Sequence, residues 1–421
     1  MGDADIFHYR QGQLHCEEIA LEALAAQYGT PAYVYSKAAI LDRWSEYERA
    51  LAGIPHRVCF AVKANSNLAV LNALAGAGAG AGFDIVSGGE LQRVLKAGGD
   101  PAAVVFSGVG KTAPEIGLAL EKGIHSFNCE SETEIELLSA IAAAQGVIAS
   151  IALRVNPDVD AKTHPYISTG LREHKFGVDI AVAEDIYRRA SNLPGILVEG
   201  VSCHIGSQLL EIDPLLEAAD KTLALVARLR SAGLPIRFLD LGGGLGVQYR
   251  PGERSASIAE FATLLRPKLD AMQLTLMLEP GRSIVAEAGV LLTKVLLVKQ
   301  NGRKTFVVVD GAMNDLLRPA LYQAHHEIAP LTEAPAGLTM TADVVGPICE
   351  TGDFFARDRK LPALEAGDLI ALRTAGAYGF VLSSNYNSRP RPCELLVDGS
   401  RVVVARQRET FDDLIRGESL P

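Results

Sequence analysis

Between about residues 58 and 282, short apolar runs alternate with longer segments in which apolar residues recur at helical spacing. Eight runs read as strands: VCFAVKAN (58–65), GFDIVS (82–87), VVFSG (104–108), HSFNCE (125–130), IALRVN (151–156), GVSCHIG (200–206), FLDLGGG (238–244) and LMLEPG (276–281). Residues 131–145 begin with Ser131 as N-cap and Glu134 three positions on, the pattern of a capping box. Residues 213–232 carry Leu215, Leu216, Ala219, Leu223 and Val226 at helical spacing, and Gly233 ends the run. Residues 40–53 supply a helix ahead of the first strand. Eight strands and eight helices in alternation predict an α/β fold, a parallel (β/α)8 barrel over residues 33–282.

From residue 283 the pattern changes. VVVD (307–310), LIALRTAG (369–376) and RVVVARQ (401–407) are short, β-rich and separated by Gly and Pro. They predict a mainly antiparallel β domain over 283–421. Residues 1–32, which precede the barrel and include IFHY, are expected to join it. There is no internal repeat. Residues 156–177 form one unusually long loop after the fifth strand, which in a compact domain is usually functional or disordered.

Composition narrows the function. A chain of 421 residues has room for two domains, and 48% hydrophobic with 21% charged residues is a globular balance, so disorder and collagen are excluded. A net charge of −10 argues against nucleic acid or an anionic membrane as the main partner, though a local cluster can still bind a small anion. The apolar stretches at 73–82 and 288–298 are broken by Asp84 and Lys294, so no membrane span is expected. The N-terminus lacks the apolar stretch of a signal peptide. The six cysteines are scattered without a CxxC, which reads as reduced thiols in a cytoplasmic protein and not as a disulfide frame or zinc site. No histidine, the His325–His326 pair included, sits in a metal-ligand pattern.

Barrel chemistry gathers at the C-terminal ends of the strands. Lys63, Asp84, His204, glycines 242–244 and Glu279 all stand there. Taken singly, each has an ordinary structural explanation; their joint arrival at one mouth is much harder to explain that way. Lys63, flanked by apolar residues in FAVKAN, is expected to lose solvation and to be held as a nucleophilic amine able to form a Schiff base with an aldehyde. The turn LGGGLG (241–246) and the EPGR that follows the eighth strand, with Gly281, lie where such barrels bind phosphate. An aldehyde-reactive lysine beside a phosphate site points to pyridoxal 5′-phosphate. An ionised Glu279 would keep its ring nitrogen protonated, and His204 offers a flat face to the ring.

FAVKAN, GFDIVSGGEL, HKFG, HIGSQ, GGGLG, EPGR, CETGD and GAYG occur in this order over nearly the whole chain. In this the sequence resembles the fold-type III pyridoxal-phosphate decarboxylases, the group acting on ornithine, arginine and diaminopimelate. THPYISTGLREHKFG, RPALY (318–322) and CETGD (349–353) are most similar to the diaminopimelate branch. Phe60 stands where Tyr is common and Thr351 where Ser is frequent; neither alters the chemistry.

The resemblance implies that Lys63 carries the cofactor, with Asp84 in the same set. It places His204 on the ring, Ser207, Gly244 and Gly281 at the phosphate, and Glu279 on the ring nitrogen. Arg282, Arg318 and Tyr322 would bind a substrate carboxylate and Glu350 the distal ammonium. Cys349 would donate a proton, and Tyr378 would lie against cofactor and substrate. It also implies a head-to-tail homodimer in which Cys349 and Glu350 reach the partner's barrel. Outside the resemblance, Arg318 and Tyr322 read as one helix face, Cys349 as a buried small hydrophobe, Glu350 as a surface acid, and Asp84 as orienting a backbone turn.

Two carboxylate-binding arginines would discriminate meso-2,6-diaminopimelate, which has an amino-acid centre at each end, from ornithine. The expected reaction is decarboxylation to L-lysine. Relatives acting on ornithine, carboxynorspermidine or a carrier-bound amino acid are the alternatives, and a non-catalytic cofactor-binding barrel a further one. A racemase is disfavoured because that chemistry pairs the ring nitrogen with arginine, where this chain has Glu279.

Overall fold

The structure, a computed structural model, describes residues 6–78, 81–160, 175–334 and 337–421. Its contacts divide it into two compact units, residues 43–247 with 254–284, and residues 1–42 with 248–253 and 285–421.

The chain opens with a three-stranded antiparallel sheet, β1 (Phe7–Arg10), β2 (Gln13–Cys16) and β3 (Ile19–Ala20), followed by α1 (Leu21–Tyr28), β4 (Ala32–Ser36) and α2 (Lys37–Ala50). The barrel strands follow: β5 (His56–Ala61), β6 (Gly82–Ile85), β7 (Val104–Phe106), β8 (Ser126–Cys129) and β9 (Ala149–Asn156). A two-residue β10 (Val178–Asp179) leads to β11 (Ile196–Ser202), β12 (Phe238–Asp240) and β13 (Thr275–Leu278). Helices α3 (Leu68–Ala75), α4 (Gly88–Lys96), α5 (Ala113–Lys122), α6 (Glu132–Gln145), α7 (Ile180–Ala190), α8 (Asp213–Ser231) and α9 (Ile258–Met272) alternate with them. A single turn, α10 (Arg282–Val285), follows the last strand.

Among the described residues, eight strands pair in parallel as β5–β6–β7–β8–β9–β11–β12–β13, and β13 returns to β5, closing the barrel. All eight expected strands are present. Cys59, Val105, Ala152, Phe238 and Met277 fill its interior from five strands. Gly200 of β11 makes room for the Phe238 ring; a Cβ there would lie 2.1 Å from it.

Local signals act as the sequence implies, with one difference. The Ser131 hydroxyl accepts from the Glu134 amide and starts α6. The Glu134 carboxylate does not complete a capping box, however. It accepts from the Glu130 amide and from buried Lys111, because that ammonium, with Asn128 and Gly108 carbonyls as its other acceptors, needs an anion.

The remaining elements are β14 (Gly289–Asn301), β15 (Lys304–Val309), α11 (Arg318–Tyr322), β16 (Ile328–Pro330), β17 (Thr339–Val345), β18 (Phe354–Pro362), β19 (Leu369–Leu372), β20 (Cys393–Asp398), β21 (Arg401–Arg406) and α12 (Phe411–Leu414). With β4 their strands form a nine-stranded sheet among the described residues. Most pairs are antiparallel, and β15–β17 and β4–β20 are parallel. The expected domain edge at 32/33 falls at the start of β4. That strand is buried throughout and pairs with β14 and β20, with the Tyr33 hydroxyl donating to the Asp315 carbonyl. Most of the long loop singled out above, residues 161–174 and with them much of THPYISTGLREHKFG, lies outside the described residues. No helix among the described residues is long and apolar enough to cross a membrane.

Candidate active site

The rim of the barrel is built by strand ends held in register. Ala61 of β5 stands opposite Asp84 of β6, so Lys63, two residues on, reaches across to it. The Lys63 Nζ donates to Asp84 Oδ2 at 2.5 Å. The lysine side chain is 37% exposed and the aspartate fully buried. The amine therefore faces a carboxylate, where the sequence led us to expect an apolar rim. Asp84 does more than shape a turn: it is the counter-ion of this lysine. Its second oxygen, Oδ1, is buried without a hydrogen-bond partner among the described residues.

The Ala61 amide bonds to the Pro280 carbonyl, which draws EPGR alongside Lys63. Gly281 packs there against Ala61 and Ala64. Arg282, also buried, donates through Nη2 to Ser207 Oγ at 3.1 Å. Ser207 belongs to the turn after β11, and that turn lies against the glycines after β12. A Cβ on Gly244 would come within 2.8 Å of the Gly206 carbonyl, and one on Gly243 within 2.2 Å of the Glu279 carbonyl. Gly244 thus meets the turn after β11, and Gly243 the end of β13, at backbone contact. Ser207, Arg282 and these turns form a cradle whose guanidinium and hydroxyl could hold an anion.

His204 is the first residue of HIGSQ. Burial, reinforced by the nearby Arg154 and Lys63 cations, holds its ring well below the ordinary imidazole value, so it is neutral. Arg154 of β9 donates to the His204 carbonyl at 3.3 Å and to Glu130 at 2.9 Å, and Glu130 accepts from the Gly177 amide. One buried ion pair therefore ties the His204 backbone to the end of the long loop.

Glu279 is buried at the end of β13. Its Oε1 accepts from Asn128 Nδ2 at 3.0 Å and from Ser107 Oγ at 3.2 Å. It also shares a hydrogen bond with the Asp240 carboxyl of β12. Burial first, then the Asp240 and Asp84 charges, raise Glu279 well above the usual carboxylate range, while Lys63 opposes them. Glu279 therefore holds its proton more tightly than an ordinary carboxyl, Lys63 being the cation that opposes this. Asp240, Asn128 and Ser107 were not singled out from the sequence. They stand at strand ends, in FLDLGGG, HSFNCE and VVFSG, where the rule that found Lys63 and Glu279 also applies. Glu90, at the start of α4, was likewise missed; burial raises its carboxyl to about 7.

The other expected residues belong to the second unit. Arg318 and Tyr322 begin and end α11. The Arg318 guanidinium stacks on Tyr249 at 4.3 Å and its Nη1 bonds to His326 at 2.9 Å. Five of the six cysteines are buried, but Cys349 is exposed, contrary to its bland reading. The Cys349 amide donates to Asn387 Oδ1 at 3.1 Å, and the Tyr386 hydroxyl hydrogen-bonds with exposed Glu350. Asp353 holds this loop, accepting from the Ile348 and Met313 amides. Tyr378 adopts a left-handed backbone, φ +56°, which a non-glycine residue rarely takes. No cluster of three or more metal-ligating side chains occurs among the described residues.

The donor set fits pyridoxal phosphate. It offers a rim lysine, a cradle that side chains on its glycines would fill, and a buried acid that, among the described residues, faces Lys63 as its cation. Fold and rim together define a pyridoxal-dependent decarboxylase, a carboxy-lyase. Residues 37–286 match the family described as pyridoxal-dependent decarboxylase, pyridoxal binding domain. The diaminopimelate decarboxylase of Pseudomonas aeruginosa is 57% identical over 416 residues, 99% of each chain. That of Helicobacter pylori, solved with L-lysine, superposes with a TM-score of 0.90 at 45% identity, covering 94% of this chain and 98% of that one. That of M. jannaschii, also with L-lysine, gives 0.93 at 36% identity over 99% and 98%. The chain belongs to the diaminopimelate decarboxylase family.

Proposed function

We propose that this protein decarboxylates meso-2,6-diaminopimelate to L-lysine and CO₂ with pyridoxal 5′-phosphate at the barrel rim. The observation that carries the reading is the convergence of Lys63, Asp84, the Ser207–Arg282 cradle and buried Glu279 on one mouth. When bound, the cofactor supplies an electron-accepting ring conjugated to the substrate's α-carbon. Lys63 would be the amine that holds its aldehyde. Ser207, Gly244, Gly281 and Arg282 would hold its phosphate, and Tyr378 would lie against cofactor and substrate. His204, being neutral, would offer its flat face to the ring without adding a positive charge. Glu279 would supply a proton and then a counter-charge at the ring nitrogen. Cys349 gives a proton to the carbon that loses CO₂: one C–C bond breaks, its electron pair stays on carbon, and a C–H bond forms. Arg282, Arg318 and Tyr322 bind the distal carboxylate, and Glu350 the distal ammonium.

Purified protein should release CO₂ and form lysine from meso-diaminopimelate when pyridoxal phosphate is added. L-ornithine should be a poor substrate, because the arginines would be left buried without an anion. Equal turnover of both would assign the chain to a broader decarboxylase.

The same reading makes the protein a cytoplasmic homodimer whose active sites are shared between subunits. The exposure of Cys349 and Glu350 supports this, since both are available to another chain. Mixing inactive Lys63→Ala and Cys349→Ala proteins under exchange conditions is then expected to restore roughly a quarter of wild-type activity, because half of randomly formed dimers carry one intact site. No recovery in dimers shown to have exchanged would mean each chain completes its own site.

A further inference from the structure

The Glu279 carboxyl does not stand alone. Asp240, fully buried at the end of the neighbouring strand, shares a hydrogen bond with it. Asn128 Nδ2 spans the two, 2.8 Å from Asp240 Oδ2 and 3.0 Å from Glu279 Oε1. The Gly242 amide fixes the other Asp240 oxygen at 2.8 Å, so Asp240 cannot turn away without breaking the glycine turn. Nothing in the reaction assigned above uses Asp240 or Asn128.

We propose that Asp240 is a positioning residue that works through Glu279. The two carboxyls form a dyad holding one proton between them, and the dyad, aligned by Asn128, keeps the cofactor's ring nitrogen protonated. The inference rests on the reading that pyridoxal phosphate binds at this rim.

The physics is that of two like charges in a dry site. Both carboxyls cannot ionise together at hydrogen-bond distance, so the pair retains a proton to higher pH than either acid would alone. Burial raises both groups, and the charges facing Glu279 decide which holds the proton. These are Asp240 from β12, Asp84 from β6 and Lys63 after β5, with the neutral thiols of Cys59 and Cys203 nearby. The proton belongs to the pair, and the Gly242 amide, which donates to Asp240 Oδ1, favours the negative charge on Asp240 and the proton on Glu279. A ring nitrogen arriving at Glu279 meets a donor, and the cation it becomes is then balanced by two carboxylates.

The test uses holoenzyme loaded with pyridoxal phosphate whose ring nitrogen is isotopically labelled, and follows that nitrogen by NMR against pH. Asp240→Asn keeps the shape and removes the charge. The pH at which the ring nitrogen loses its proton should fall by about one unit or more, with a drop in kcat larger than any change in KM. Asp240→Glu, which keeps the charge, should titrate close to wild type. If Asp240→Asn does not fold, Asp240→Ser takes its place. It removes the same charge, so its midpoint should also fall, and a midpoint equal to that of wild type overturns the proposal. An Asp240→Asn enzyme that binds cofactor and titrates like wild type also overturns it, while leaving the proposed reaction intact. Wild-type protein that takes up no cofactor at Lys63 ends both.

Discussion

Replacing Lys63 with arginine is expected to abolish the visible absorbance of the cofactor-loaded protein and to lower kcat by on the order of 10⁴ or more. A guanidinium stays protonated in proteins and cannot attack an aldehyde, whereas a lysine amine can. The choice of arginine follows from the geometry. Lys63 has a second duty, as counter-ion to Asp84, which is fully buried. Lys63→Ala removes nucleophile and charge together and leaves a buried carboxylate facing no cation, so it should lose thermal stability as well as activity. Lys63→Arg keeps a cation beside Asp84 and removes only the nucleophile. The pair of variants therefore separates the two roles. Absorbance spectra with added pyridoxal phosphate, steady-state turnover and thermal midpoints check it. A persistent band in the arginine variant would place the covalent link elsewhere.

The double duty of Lys63 shows where sequence stops short. Its strand, its place at the strand end and its neighbours were all legible in FAVKAN. Its partner was not, because the pairing of Ala61 with Asp84 is a register between strands and no local pattern states it. The same holds for Glu279. EPGR announced a residue at the eighth strand end, but its protonation depends on Asp240 and Asn128 from two other strands, 39 and 151 positions away along the chain. The barrel was readable because apolar runs and helical spacing are local and repeat eight times. The edge of the second sheet was harder to read. AYVYS at 32–36 is apolar like a barrel strand, and only its pairing with β14 and β20 shows which sheet it enters. Cys349 took the opposite course from its composition-based expectation: a free cysteine is usually buried, and this one is held at the surface by a loop that Asp353 anchors.

Arg318→Met is expected to raise KM for meso-diaminopimelate by about 100-fold while kcat changes much less, since a distal carboxylate would lose a charge-assisted, orientation-fixing partner in ground and transition states alike. The geometry of this arginine suits such a role. The residue is 5% exposed, and its guanidinium is stacked on Tyr249 and bonded to His326 Nε2. The tautomer is fixed by chemistry. His326 Nδ1 lies 2.8 Å from the Arg373 carbonyl, which can only accept, so Nδ1 carries the hydrogen and Nε2 accepts from Arg318. A guanidinium held this way has little rotamer freedom left to lose on binding, so more of the interaction appears as affinity. Methionine keeps a long side chain against Tyr249 but leaves His326 Nε2 without its donor and the substrate without its cation. Lysine restores the charge without the planar fork and should recover only part of the loss. The preference for meso-diaminopimelate over L-ornithine, measured as a ratio of kcat/KM, should shrink in the methionine variant, because ornithine has no second carboxylate to lose. An unchanged ratio would move recognition of the distal centre away from α11 and onto Arg282 at the barrel rim.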